Sequence, residues 1–260
     1  MPESLRMSRS TLPVFLVALC AAALPRSAPA AEPPAGPVAV VPIKLSMSTS
    51  HLILSQRPVL IDAGRPQDCD KLDAALAASG VPPGKLALVV LTHGHSDHAG
   101  CAARLQARGA EVALGLGDAP MARAGHHGEL TPTGFTARIL KVLAIDPTYE
   151  AFEPNHLVDS PLDLAPWGIA GRVLSMPGHT PGSVVVLLQD RRAFVGDQML
   201  GGLFGGALMA DRAGRHYFHA DEAANNRNVA ALLAQGVEVF HLGHGGPVTA
   251  ASARAGLELP

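Results

Sequence analysis

Three cysteines, one tryptophan and two tyrosines are all that 260 residues supply of those types, and aromatic side chains together make up 4%. So few cysteines exclude a dense disulfide scaffold. Charge is also sparse: charged residues make up 16%, with 20 basic against 22 acidic side chains and a formal net charge of −2. That balance leaves no basic surface for a nucleic-acid backbone, so no nucleic-acid partner is expected. Long apolar runs are missing except for one near the N-terminus, and no membrane span is expected. There is no clear internal repeat and no low-complexity insert. What the chain does have in excess is histidine, twelve in all.

The apolar exception is residues 12–24 (LPVFLVALCAAAL), preceded by Arg6 and Arg9 and followed by the small-residue exit Ala28-Pro29-Ala30. This order reads as a secretory signal peptide cleaved near Ala30–Ala31. The run is shorter than the roughly 18 residues of a spanning helix, and Leu19 is too bulky for lipid attachment at Cys20. The expected organisation is a cleaved signal peptide over 1–30 and a single domain over 31–260, exported to the periplasm or secreted. Arg6, Arg9 and Arg26 against Glu3 leave with the leader, which takes the formal charge of the remainder from −2 to −4. Two cysteines stay behind, Cys69 and Cys101. In an oxidising compartment they either pair or remain two separate buried thiols.

After a Pro-rich start at 31–37, the pattern is that of a layered α/β chain. Residues 38–45, 51–54 and 58–61 alternate or run apolar between turns, as strands do. Residues 68–78 (DCDKLDAALAA) put Leu72, Ala75 and Leu76 on one helical face, with Gly80 as the stop. Residues 85–91 (KLALVVL) read as a buried strand, 99–108 as a helix and 111–114 as a strand. The stretch 117–135 is irregular, a short helix plus a loop. Strands are expected at 137–145, 170–175, 183–188 and 193–195, then a flexible GGLFGG segment at 201–206. A helix at 221–234, a strand at 237–240 and a short helix from Pro247 complete the chain.

Directly after the strand at 85–91 comes THGHSDHAG (92–100), with His93, His95, Asp97 and His98 within six positions. Crowded imidazole and carboxylate groups resist burial unless something compensates them. Zinc accepts both as ligands. On an extended segment residues i and i+2 point the same way, so His93 and His95 can grip one ion. Asp97 and His98 lie where the next helix begins and can face a second. Four donors cannot complete two sites. Single candidates follow at strand ends, where α/β proteins place their sites: His179 in a Pro/Gly turn (177–183), Asp197 after Gly196, and His244 in LGHGG (242–246). Each alone reads as an ordinary turn residue; beside the first cluster they read as a set.

On VLIDAG (59–64), THGHSDHAG (92–100), MPGHTPGS (176–183), VGD (195–197) and LGHGG (242–246), the chain resembles the metallo-β-lactamase superfamily of binuclear zinc hydrolases. The resemblance implies an α/β fold, a four-layer αβ/βα sandwich with metals at one edge. It implies that His93, His95 and His179 hold one zinc, that Asp97, His98 and His244 hold the other, and that Asp197 bridges them. Asp62 would shape the site through its ligands rather than bind metal. Two Zn2+ are therefore expected, and imidazole-rich ligation suits iron as well.

The chemistry implied is hydrolysis by a metal-bridging hydroxide, because zinc lowers the pKa of a bound water to about 7. Asp97 would also orient that nucleophile and pass on a proton. The family's true β-lactamases usually carry Cys or Ser at the position of Asp197. An aspartate resembles the glyoxalase-II, lactonase and phosphodiesterase branches. The leading expectation is an exported hydrolase of an ester, lactone or amide-like small molecule. β-Lactam hydrolysis and a non-catalytic zinc-binding role are the alternatives. Substrate contacts would come from 117–135 and 198–220, where Tyr217 could steady an oxyanion. The sequence HYFH (216–219) is otherwise expected to pack the core, and His126-His127 to be an exposed pair. His51, His156 and His241 receive no role, and His241 is expected to be structural.

Overall fold

The computed structural model describes residues 36–142 and 146–259; the proposed leader, residues 1–30, lies outside them. The first sheet holds β1 (Ala39–Lys44), β2 (Thr49–Leu54), β3 (Val59–Ile61), β4 (Leu88–Val90), β5 (Glu111–Gly115) and β6 (His156–Val158), in that spatial order. β1 to β3 are antiparallel neighbours, and β3 to β6 run parallel. Every residue of β3 and β4 is buried, as expected of parallel strands covered on both faces.

The second sheet takes β7 (Leu162–Asp163), β8 (Gly171–Ser175), β9 (Val184–Leu188) and β10 (Arg192–Gly196). After a separate hairpin, β11 (Leu200–Leu203) and β12 (Leu208–Gly214), it adds β13 (Val239–Leu242) and β14 (Val248–Thr249). Its order is β14-β13-β10-β9-β8-β7, with β10 and β13 parallel.

Three apolar layers hold this together. Between the sheets, Ile53, Ile61 and Val90 meet Val173, Val186 and Phe194. Outside the first sheet lie α1 (Cys69–Ala78) and α3 (Ala102–Ala107), which bury Leu72, Leu76 and Leu105. Leu72 and Leu76 sit four apart on one helix face, and full burial of each contributes about 1.5–3 kcal/mol. Outside the second sheet, α6 (Glu222–Ala234) and α7 (Ala250–Gly256) supply Val229, Leu232, Leu233 and Ala253. The Asp221 side chain starts α6 by accepting the Ala224 amide at 2.9 Å, a standard N-cap. Helix, sheet, sheet, helix is the αβ/βα sandwich. No helix among the described residues is long and apolar enough to cross a membrane.

The short helices α2 (Ser96–Ala99), α4 (Ala119–Ala124) and α5 (Phe135–Val142) lie among the loops. Residues 137–145, expected as a strand, are instead helical as far as Val142, and 143–145 lie outside the described residues. A short apolar run does not settle helix against strand by periodicity. Here the backbone bonds to itself, starting with Arg138 N to Gly134 O at 3.1 Å. The GGLFGG segment builds part of the β11–β12 hairpin, and β6 and β7 had no counterpart in the sequence pattern. Cys69 and Cys101 are disulfide-bonded, with Cα atoms 5.5 Å apart. Both sulfurs lie near the Arg65 carbonyl.

Candidate metal centre

Parallel pairing carries strand ends to a common edge. β3 delivers Asp62, β4 delivers 92–98, β10 delivers Asp197 and β13 delivers His244, while the β8–β9 turn holds His179. The two sheets are stitched at this edge, the Val184 amide donating to the Thr92 carbonyl at 2.8 Å and the Thr49 amide to the Gly243 carbonyl at 2.8 Å. All seven expected donors and Asp62 are buried there.

Four of the five imidazoles are held by one nitrogen so that the other faces inward. His98 Nδ1 lies 2.9 Å from Asp62 Oδ2, His179 Nδ1 donates to the Phe218 carbonyl at 2.7 Å, and His244 Nδ1 donates to the Met47 carbonyl at 2.9 Å. Thr92 Oγ1 donates to Asp62 and sits 3.0 Å from His93 Nδ1. His95 differs: its Nδ1 is the inward atom, 3.1 Å from His179 Nε2. Asp62 itself takes φ +60. It also accepts the Thr92 amide at 2.8 Å, so one carboxylate organises two of the histidines.

The inward atoms converge in overlapping groups whose members lie within 4.8 Å of one another: His93, His95 and His179; Asp97, His98 and His244; and His93, His98 and Asp197. Asp197 stands between them. Its Oδ2 is 3.8 Å from His93 Nε2, 3.7 Å from His179 Nε2 and 3.3 Å from His244 Nε2. Its Oδ1 is 3.4 Å from His98 Nε2 without the alignment of a hydrogen bond. His93 Nε2, His98 Nε2 and Asp197 Oδ1 are buried and have no hydrogen-bond partner. Orphaned polar atoms of this kind are costly, and a cation removes the cost. Imidazoles and carboxylates converging in this way fit one or two metal ions.

Charge divides the donors. Burial pushes the pKa of His93 and His179 well below the usual imidazole value and that of His95 down to about 3, leaving three uncharged imidazoles. Burial opposes charge on His98 and His244 too, but surrounding carboxylates, Asp197 foremost, win. His98 is raised well above its usual value and His244 to about 10. Asp97 and Asp197 are lowered despite burial, because His98 and His244 stand beside them.

The sequence pattern missed three residues here. Asp118, within the irregular 117–135 stretch, is fully buried. It accepts the Gly94 amide at 2.8 Å, the Thr180 hydroxyl at 2.6 Å and the Gly182 amide at 2.7 Å, tying the His93–His95 loop to the His179 turn. His127 is not half of an exposed pair. Only His126 is exposed, whereas His127 packs beside the His95 ring and contacts Ser96 Oγ. His216 is not simply core packing, because its Nε2 is 3.2 Å from Asp197 Oδ2. Tyr217 lines the cavity over the centre. His51 and His241 pack around Phe194 between the sheets, and His156 pairs with Glu111.

The profile of the metallo-beta-lactamase superfamily matches residues 44–244. The chain belongs to the metallo-beta-lactamase superfamily. Its fold and converging donor clusters give it a candidate binuclear metal site. Over 43 residues it is 58% identical to Metallo-beta-lactamase domain-containing protein 1 of Rattus norvegicus, a match covering 16% of this chain and 17% of that one. The chain thus aligns with about a sixth of that relative's length. A longer match, 26% over 219 residues, joins it to the Probable metallo-hydrolase YflN of Bacillus subtilis (strain 168), covering 76% of this chain and 79% of that one. Among solved structures, BJP-1, a subclass B3 metallo-beta-lactamase of Bradyrhizobium japonicum, shares the fold at TM-score 0.57 and 18% identity, over 79% of this chain and 74% of that one.

Proposed function

We propose that this superfamily member is an exported binuclear zinc hydrolase cleaving an ester, lactone or amide-like small molecule. The carrying observation is Asp197, buried between two donor groups and opening on the same cavity as Asp97 and His244. In this reading His93, His95 and His179 would hold one ion and Asp97, His98 and His244 the other, with Asp197 shared between them. When bound, the metals supply an acidified water and polarise the oxygen under attack.

The chain's own residues supply the rest. The cavity, about 820 Å³, suits a small molecule. Its walls include Leu130, Leu140, Leu200 and Phe218 for an apolar body, with Arg65 and Tyr217 as polar contacts. Asp97, ionised and facing the cavity, orients the attacking water and passes its proton to the leaving group. The Tyr217 hydroxyl donates to the developing oxyanion. Export is supported by the order of Arg6, Arg9, the apolar 12–24 run and Ala28-Pro29-Ala30, and by a disulfide suited to an oxidising compartment.

The test is turnover of an aryl ester, a lactone and a chromogenic cephalosporin by zinc-loaded protein. Ester or lactone cleavage is expected, and it should vanish in His95→Ala. Cephalosporin turnover alone would replace this substrate class with β-lactams. Tight zinc binding with no turnover would make the chain a metal-binding protein without catalysis.

A further inference from the structure

His216 lies within 4.8 Å of donor atoms of His179 and Asp197, which makes it look like one ligand more than the centre needs. The backbone of a single residue, Phe218, argues otherwise. Its carbonyl accepts from His179 Nδ1 at 2.7 Å. That puts the His179 proton on Nδ1 and leaves Nε2 a bare lone pair. Its amide points at His216 Nδ1 at 3.2 Å. An amide only donates, and this buried one meets no other acceptor among the described residues. The Nδ1 lone pair of His216 is therefore engaged and its ring proton sits on Nε2. The carbonyl is also within 3.1 Å of His216 Nδ1, and with two lone pairs it could accept there too, but a proton on Nδ1 would leave the buried Phe218 amide without an acceptor. One peptide unit thus gives two adjacent imidazoles opposite tautomers.

We infer that His216 is a positioning residue: an N–H donor that holds the Asp197 carboxylate, not an additional metal ligand. Its Nε2 faces Asp197 Oδ2 at 3.2 Å. An N–H at that distance attracts the oxygen electrostatically and biases the carboxylate against rotating, so that Oδ2 stays toward His93 and His179 while Oδ1 stays toward His98. The donor is itself held in place. The Thr133 hydroxyl donates to the His216 carbonyl at 2.9 Å, the His219 amide to the Thr131 carbonyl at 3.1 Å, and the Ala220 amide to the His179 carbonyl at 3.0 Å. The 131–133 segment thereby fixes the orientation of the bridging group. This inference rests on the ligand set proposed above.

Nitrogen-15 NMR of the histidine rings tests it directly, the His216 signals being identified by their loss in His216→Gln. Metal-free and zinc-loaded protein should both show a proton on Nε2 and none on Nδ1. A coordinated Nε2 with a protonated Nδ1 after loading would make His216 a ligand and overturn the inference. Zinc affinity, read by competition with a chromogenic chelator, supplies the second arm. The Gln amide restores an N–H near the lost one. His216→Gln should therefore bind zinc within about threefold of wild type, while His216→Leu should weaken it by about 10- to 100-fold. Equal affinity in His216→Leu and wild type would overturn the inference. Wild-type protein that takes up no zinc would instead sink the ligand reading, and the metal-free spectrum would still report the tautomer.

Discussion

Loading the metal-free protein with zinc should expel a countable number of protons. His98 and His244 are held in their charged form by Asp197, Asp62 and Asp97, and a ligand must offer a lone pair. Each therefore loses one proton on loading at pH 7.5. His93, His95 and His179 are already uncharged, and Asp97 and Asp197 already ionised, so they release none. The ligands thus release about two protons, and a water ionising near pH 7 adds up to about one more. With His244 near 10, stripping its proton at pH 7.5 costs about 3 kcal/mol of binding free energy. Titration calorimetry in buffers of different ionisation enthalpy reads the proton count as a slope. Affinity should climb by up to about tenfold per pH unit for each of these imidazoles, the His244 contribution ending at roughly pH 10. A slope of zero, or an affinity flat between about pH 6.5 and 9, would refute the reasoning. Stability of the metal-free protein should move the other way. Because both pKa values are raised on folding, their contribution is complete below the unfolded value of 6.5 and is lost as pH rises through the folded values, about 10 for His244.

Four further outcomes are expected. Asp197→Ala should lower zinc stoichiometry by elemental analysis, and an unchanged count would argue against a bridge. Gly243→Ala places a methyl group against Asp197 Oδ1 and His98; about 1–3 kcal/mol of overpacking should appear as a lower urea midpoint together with weaker zinc binding. Reducing the Cys69–Cys101 bond opens a loop with a sequence separation of 32, which should cost about 3–4 kcal/mol on the chain-entropy view and show as a lower Tm. N-terminal sequencing of protein recovered from an exporting host should begin near Ala31; a chain retaining residues 1–30 would contradict cleavage.

The layered α/β pattern was legible because it is locally encoded, whereas the αβ/βα order and the common edge followed from the family resemblance of the motifs. Apolar runs such as KLALVVL mark buried strands, and each candidate donor sits in a distinctive turn directly after one. What escaped depends on juxtaposition. Asp118 resembles any turn aspartate until Gly94, Thr180 and Gly182 are seen around it. The proton on His216 is set by Phe218, two positions on, but its target is residue 197. His126 and His127 look alike in the sequence, and only packing buries the second. The run at 137–145 was ambiguous in a different way, since its apolar spacing fits either a strand or the helix it forms as far as Val142.

The donors come from both halves of the sandwich: His93, His95, Asp97 and His98 follow β4, whereas His179, Asp197 and His244 belong to the second sheet. A cation gripped from both sides is a rivet through the seam between two leaves. Prising the leaves apart would forfeit its binding energy all at once, so chelation should loosen the whole joint and not only silence the chemistry. Neither leaf alone carries the complete grip.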